Sequence, residues 1–323
     1  MSRGSKALLR RMLTPNVSAT SLETRKFHVK DAIAKDLLEK VGRTFLAGYG
    51  HAVETGDDAA LAERLAEIPS RFRGFAYEGA AMGFTVVDGL TFARGRRVGR
   101  FMAGSGAPHI YMVYVGIGWA MARLPRPLWP KMAFDPLLQW FILDGYGFHQ
   151  AYFKTGKYVK GQHQDPAFPW PGGPHQWYAD RALDQGIGRA LWFVGGTDAD
   201  VVTDLIGEFP VRRRPDLYAG AGLAATYAGG ADEDELRRFW KAAGDCRPQV
   251  AQGSAFAAEA RRLAGLESPH TGIATGVFCD LPPDEAADIC VRTRPDGRDQ
   301  GELPAHEVWR RRIADEFVSR GRS

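Results

Sequence analysis

The sequence predicts a mainly α-helical protein built from two tandem, diverged repeats related by pseudo-two-fold symmetry. Three observations carry this. Apolar residues recur at helical spacing, few segments alternate with period two between turn signals, and the chain matches itself when slid along its own length. Residues 57–89 lie against 198–230 without a gap, and ten of those thirty-three positions are identical. Asp57 meets Asp198, Pro69 meets Pro210, Arg71 and Arg73 meet Arg212 and Arg214, Tyr77 meets Tyr218, and Gly79 meets Gly220. Apolar positions follow, Leu61 with Val202 and Leu65 with Ile206. A five-residue slip brings Val41-Gly42-Arg43 onto Ile187-Gly188-Arg189, and Phe27-His28 is matched with Phe148-His149.

Taken in order, residues 1–26 are an N-terminal tail in which Lys6, Arg10 and Arg11 flank Ala7, Leu8 and Leu9. A short amphipathic anchor at 6–13 fits that pattern; a secretory signal does not, for want of a long apolar run and a small-residue cleavage site. The first repeat, 27–130, opens on a helix over 31–47. Asp57 or Asp58 then caps a helix that stops at Pro69. Residues 81–90 can begin as helix, although Thr85-Val86-Val87 weakens it. The apolar stretch 111–124 is too short to span a bilayer and reads as part of a buried helix over 106–124. Asp135-Pro136 opens another helix in the junction, 131–178. There the segment 154–177 carries Lys160, His163, Asp165 and His175 and is dense in proline and glycine, as in a binding lid or a plain linker. The second repeat, 179–270, repeats the cap at Asp198 or Asp200 and the stop at Pro210. Further helices are expected at 181–194, 233–243 and 248–265, and at 283–292 and 305–318 within a C-terminal helical extension, 271–323.

Glycine is the unusual component, with 38 residues, many inside helical patterns. Each costs about 1 kcal/mol against alanine in a helix interior, so a spatial reason is required: helices in close approach, or small residues lining a cavity. The net charge of +4 is too small to imply nucleic acid, and the arginine clusters at 94–100, 212–214 and 310–312 read as solvated faces. The three cysteines lack C-x-x-C spacing, and the odd count fits a reducing, cytoplasmic setting.

Several chemistries are excluded by what is missing. There is no G-x-S-x-G elbow and no H-E-x-x-H. The stretch Asp184-Gln185-Gly186-Ile187-Gly188-Arg189 lacks the spacing and the lysine of a phosphate loop. Asp57-Asp58 has no accompanying asparagine triad, Asn16 being the one asparagine, so metal-assisted diphosphate ionisation is not expected. Asp232-Glu233-Asp234-Glu235 is explained by the dipole of a helix N-terminus. No metal or nucleotide cofactor is expected.

Two constellations remain. In Asp144-Gly145-Tyr146-Gly147-Phe148-His149 the glycines expose backbone around a tyrosine and set a carboxylate and an imidazole five residues apart. That reads either as an acid/base pair at a cavity mouth or as a helix C-terminus with glycine in the left-handed conformation. The other is Glu78, whose counterpart in the self-match is Ala219, together with Asp216, whose counterpart is Phe75. Carboxylates held by one copy alone are not needed for the repeat; the alternative is pairing with Arg73 or Arg214.

Four long motifs resemble one family: residues 73–82, 144–149, 184–193 and 216–230, beginning Arg73-Gly74-Phe75-Ala76-Tyr77-Glu78, Asp144-Gly145-Tyr146, Asp184-Gln185-Gly186 and Asp216-Leu217-Tyr218. They are similar, in order, to the domain of unknown function 1702 family, the UnbL-type proteins. Tyr218 stands where the family often has tryptophan. The resemblance implies a step in specialised metabolism beside enediyne polyketide synthases or similar assemblies, around an apolar polyene intermediate, with synthase or tailoring enzymes as partners. It supplies no reaction and no catalytic residues. The expectation is a cofactor-free isomerase or cyclase in which Glu78, Asp144 and His149 act as acid or base. Arg73, Tyr77, Tyr146, Asp184, Arg189, Asp216 and Tyr218 are expected to contact substrate. The alternative is a non-catalytic carrier that shields or delivers the same intermediate. One asymmetric site between the repeats is expected, not two equivalent ones.

Overall fold

The computed structural model describes residues 17–55, 58–266, 268–297 and 301–323. The basic segment 6–13 and Asp57 lie outside the described residues. Within them the chain is helical, with no β-strand. The longer helices are α1 (Ala32–Thr55), α2 (Asp58–Ala66), α3 (Ser70–Leu90), α4 (Arg96–Ala103), α5 (Ile110–Arg123), α6 (Trp140–Phe153) and α7 (Ala179–Val194). They continue as α8 (Ala199–Gly207), α9 (Arg214–Ala228), α10 (Glu233–Ala242), α11 (Arg247–Leu263), α12 (Pro269–Phe278), α13 (Pro283–Thr293) and α14 (Ala305–Ser319).

Local chemistry sets most of the boundaries. Asp31 accepts from the backbone N–H of Ala34 at 2.7 Å and starts α1. Asp198 caps α8, and Asp232 with Glu235 forms a reciprocal capping box on α10. Asp58, one of the expected caps of α2, is instead its first residue and spends its carboxylate on the Ser105 hydroxyl at 2.5 Å and the Ser105 N–H at 3.1 Å. The Thr85-Val86-Val87 run does not end α3, because that face is buried and packing outweighs propensity. The expected opening of a helix at Asp135 is delayed: Asp135 accepts from the N–H groups of Leu137 and Leu138, and regular helix starts at Trp140. Helices α4, α9 and α12 are not among the helices expected from sequence, and α3 begins at Ser70 where a helix is expected from 81.

The architecture rests on glycine. Helices α1, α3, α5, α6, α7, α9 and α11 lie side by side in that order. Between neighbours, a glycine of one helix faces a backbone carbonyl of the next so closely that a methyl group would overlap it. Gly48 of α1 meets the Ala76 carbonyl of α3, and Gly79 of α3 meets that of Phe45. The pattern recurs with Gly116 on Glu78, Gly118 on Ile142 and Gly145 on Val115, and again with Gly147 on Leu183 and Gly186 on Asp144. It ends with Gly188 on Leu217, Gly220 on Gln185 and Gly253 on Ala219. Close approach is thus the reason for glycines inside helices, where the local cost is offset by dense backbone packing and Cα–H···O contact. Gly145 and Gly147 lie within α6 and not at a left-handed terminus, which removes the helix C-terminus reading of that motif.

The row curls on itself. Phe75 of α3 meets Tyr227 of α9 edge to face, with ring centroids 5.2 Å apart, and Phe141 of α6 meets Phe256 of α11 at 5.7 Å. Arg261 of α11, almost wholly buried, donates to the carbonyls of Leu266, Arg71 and Tyr227 and ties the two sides together.

The matched segments share bonding as well as sequence. Arg73 donates to the carbonyls of Ile68 and Ala66, closing the end of α2; Arg214 donates to those of Phe209 and Gly207, closing α8. Thr85 and Thr226 donate to the carbonyls of Ala81 and Gly222 one turn back. Gly188 packs on the Leu217 carbonyl of α9 as Gly48 packs on the Ala76 carbonyl of α3, while Gly42, paired with Gly188 in the sequence self-match, faces the Thr20 side chain.

Two glycine substitutions separate these effects. Gly48→Ala should lower stability by about 3 kcal/mol or more, because it meets backbone. Gly276→Ala, in α12 with open space around it, should raise stability by about 0.5–1 kcal/mol. Urea denaturation of the two variants checks both signs.

Candidate functional site

Five helices each deliver one polar side chain to the middle of the row: Glu78 from α3, Trp119 from α5, Asp144 from α6, Arg189 from α7 and Tyr227 from α9. All five are buried. Asp144 Oδ1 lies 2.7 Å from Arg189 Nε in a salt bridge, and the guanidinium sits over the Phe148 ring at 5.0 Å. The pair is close, but its angle is not that of a hydrogen bond; Asp144 Oδ1, Arg189 Nε and Arg189 Nη2 are without hydrogen-bond partners, as are Trp119 Nε1 and the Tyr227 hydroxyl. Buried polar atoms are nearly always satisfied, and here Trp119 Nε1 and Arg189 Nη2 have no aligned protein acceptor and belong to residues that border the same cavity.

Glu78 has its pKa pushed up to about 7. Burial is the main cause; Arg189 opposes it, Asp144 reinforces it, and the indole N–H of Trp119 favours the carboxylate. Burial likewise raises Asp144, against the opposing pull of Arg189.

Glu78, Trp119 and Arg189 line a cavity of about 60 Å³. Its other walls are apolar and largely aromatic, including Phe45, Phe75, Met82, Phe148, Tyr152 and Phe193. Thr20, Arg123 and Phe153 complete it. Asp144, Arg189 and Tyr227 line a smaller void of about 20 Å³, with Tyr111, Phe141 and Phe256. Arg189 therefore borders both spaces.

The structure brings Glu78, Asp144 and Arg189 together. His149 does not join them. Five residues along a helix turn it about 140° from Asp144, and it packs edge to face on Trp119 at 5.5 Å and against Phe153 at 4.7 Å. Burial lowers its pKa to about 3, so the ring is neutral, and its Nδ1 has no partner. Tyr146 and Asp184 line a different cavity, of about 30 Å³, beside Asp180 and Arg213. There the Arg213 guanidinium grips Asp184 through Nε at 2.8 Å and Nη2 at 2.5 Å, while burial raises that carboxyl to about 6. Arg73 is occupied at the end of α2, Tyr77 stacks on His109 at 3.6 Å, and the Tyr218 hydroxyl donates to the Ala242 carbonyl at 3.5 Å.

Asp216 pairs with neither Arg73 nor Arg214. It accepts from Arg181 Nε at 2.8 Å and Arg310 Nη1 at 2.7 Å, and both arginines also bond Glu307. This network anchors α14 to α7 and α9. It also overturns the reading of 310–312 and 212–214 as wholly solvated faces, since Arg310 and Arg213 are both buried. The participation of Trp119 and Tyr227 had no sequence signal beyond aromatic rings with polar tips in apolar runs. Among the described residues, no group of three His, Cys, Asp or Glu could hold a metal ion, and no helix is long and apolar enough to cross a membrane.

A family model described as "Protein of unknown function (DUF1702)" matches residues 5–317, nearly the whole chain. The chain belongs to the DUF1702 family. No curated protein and no solved structure matches this DUF1702 member.

Two stability measurements on this DUF1702 protein follow from the two kinds of buried carboxylate. Asp216→Ala should cost about 3–5 kcal/mol, because it leaves Arg310 buried with one fewer counter-charge; chemical denaturation reads the loss. Glu78 behaves oppositely. Its folded-state pKa lies above the ordinary 4.5, so ionising it weakens the folded state progressively from about pH 4.5 to about pH 7. Glu78→Gln should therefore match the parent protein below that window and exceed it by up to roughly 3 kcal/mol above it. Thermal unfolding at pH 4, 5.5 and 7.5 tests this, and a variant less stable than the parent at pH 7.5 would overturn the assignment.

Proposed function

We propose that this protein is a cofactor-free acid–base enzyme of specialised metabolism. It takes a polyene or other apolar intermediate into the cavity between α1, α3, α5, α6 and α7, and isomerises or cyclises it by proton transfer through Glu78. The carrying observation is a carboxyl, balanced near neutral pH and set beside Arg189, in the wall of a largely apolar cavity. Protonated, Glu78 can deliver a proton to an alkene carbon; ionised, it can take one from an adjacent carbon, so that no net oxidation is needed. Asp144 holds Arg189 beside it. His149, neutral behind Trp119, supports the indole rather than titrating. The similarity of the four motifs to UnbL-type proteins supports an enediyne-type polyketide pathway as the setting, in the cytoplasm and beside synthase or tailoring enzymes.

The arrangement of the helices supports an origin by duplication. Helices α1, α3 and α5 correspond to α7, α9 and α11, with Gly48 and Gly79 reappearing as Gly188 and Gly220. In that correspondence Glu78 is matched by Ala219, which carries no carboxylate, and Arg189 stands where the first copy has Tyr49. The charged pair then belongs to one asymmetric site between the copies.

A second reading, a carrier that shields the same intermediate, is favoured by the apolar character of most of the lining. The two are separated by deleting the gene, isolating what accumulates, and adding purified protein. Conversion by the parent protein, reduced about 100-fold or more by Glu78→Gln, supports the enzyme. Its rate should fall as pH rises through about 7 if the protonated acid starts the reaction. Binding without conversion leaves the carrier.

A further inference from the structure

The unsatisfied atoms around the cavity are mostly donors. Trp119 Nε1 is a donor only; it is buried, and its N–H faces the Glu78 carboxyl without an aligned hydrogen bond. Arg189 presents Nη2 without a partner while its Nε is directed at Asp144. Glu78 adds an O–H whenever it is protonated. The nearby acceptor, Asp144, faces Arg189 already. A hydrocarbon in this space would leave the Arg189 Nη2 donor unmatched, at a cost of about 1–3 kcal/mol, and the Trp119 N–H with only a poorly aligned acceptor. A carboxylate would bring a second buried anion next to Asp144, with only Arg189 to offset both. A neutral acceptor oxygen avoids both penalties.

We propose that the molecule bound here carries a neutral carbonyl oxygen, as a ketone, aldehyde or ester, on an apolar chain, with the oxygen seated among Glu78, Trp119 and Arg189. This rests on the cavity being a ligand site, as proposed above. The three groups converge from α3, α5 and α7, which are locked by glycine contacts through α6 and α9, so their spacing is set before anything binds. Donors held in that way stabilise negative charge that grows on a carbonyl oxygen when a proton is removed beside it. The apolar chain then extends past Phe45 and Tyr152 towards Thr20, Arg123 and Phe153. Selectivity follows from the donors: a site built to hydrogen-bond an oxygen discriminates against analogues lacking it far more than an apolar wall discriminates between chain lengths.

The test uses the full chain at pH 6, where Glu78 is mostly protonated, with four eight-carbon probes: octan-2-one, oct-2-enal, oct-1-ene and octanoate. Calorimetric titration should give affinities for the two carbonyl probes about tenfold or more above those for the alkene and the carboxylate. The infrared C=O stretch of bound octan-2-one should move to lower wavenumber, and this readout needs no variant. In Trp119→Phe, checked for fold by circular dichroism, the ketone should weaken by about tenfold while the alkene is unchanged. Equal binding of alkene and ketone, or tighter binding of octanoate, overturns the carbonyl inference and leaves the cavity as a ligand site. No binding by any probe overturns the inference together with the ligand-site reading.

Discussion

Everything in this protein depends on backbone-to-backbone contact between helices. A row of seven helices is held at distances set by glycine against carbonyl oxygen, a spacing that no side chain could occupy. Such contacts are short and unforgiving, and they fix helix positions more tightly than interdigitating side chains would. Large aromatic residues then fill what remains, and Trp192, Tyr178 and Phe239 disappear entirely from solvent. The rigidity of the centre comes from the smallest residue and its bulk from the largest ones.

That frame supports two buried charge systems with opposite characters. Asp216, Arg181, Arg310, Tyr178 and Glu307 are connected by hydrogen bonds throughout, and Glu307 is held down near pKa 2 by its arginines despite burial. It is a fastening for the last helix. Glu78, Asp144 and Arg189 are only partly matched, with donors left over and both carboxyls pushed upward by burial. A fully satisfied network stabilises a structure; a half-satisfied one, kept in the middle of a well-packed protein, weakens it and is expected where a ligand acts.

The fold class was legible because helical periodicity and caps are local. Asp198, Asp232 and the stops at Pro69 and Pro210 work in the folded chain as their chemistry demands. Glycine inside helices was legible as an anomaly, and its explanation needed the neighbouring helix. The long-range pairings were not legible. Arg213 and Arg310 look like surface charge until their carboxylates, 29 and 94 residues away, are seen beside them. Asp144 and His149 look like a pair because they are near in sequence, yet a helix sends them to different faces. Glu78 stood out through its missing counterpart, whereas Trp119 was hidden in an apolar run. Side-chain identity paired Gly42 with Gly188, whereas the contacts group Gly188 with Gly48, since each of those two faces a carbonyl of the next helix in the row.

The unequal walls of the central cavity have a mechanical consequence. Where α5, α6 and α7 abut, a helix cannot slide or roll without driving a carbonyl oxygen into a neighbour's Cα, so that flank acts as a stiff plate. On the opposite side, residues 17–20 reach α1 through the Thr20 side chain against Gly42, and Arg123 and Phe153 close the rim with long or rotatable groups. Rearrangement on that side needs only rotamer changes of rim side chains, while Glu78, Trp119 and Arg189 sit on helices held by backbone contact. The cavity is thus rigid on one flank and compliant on the other.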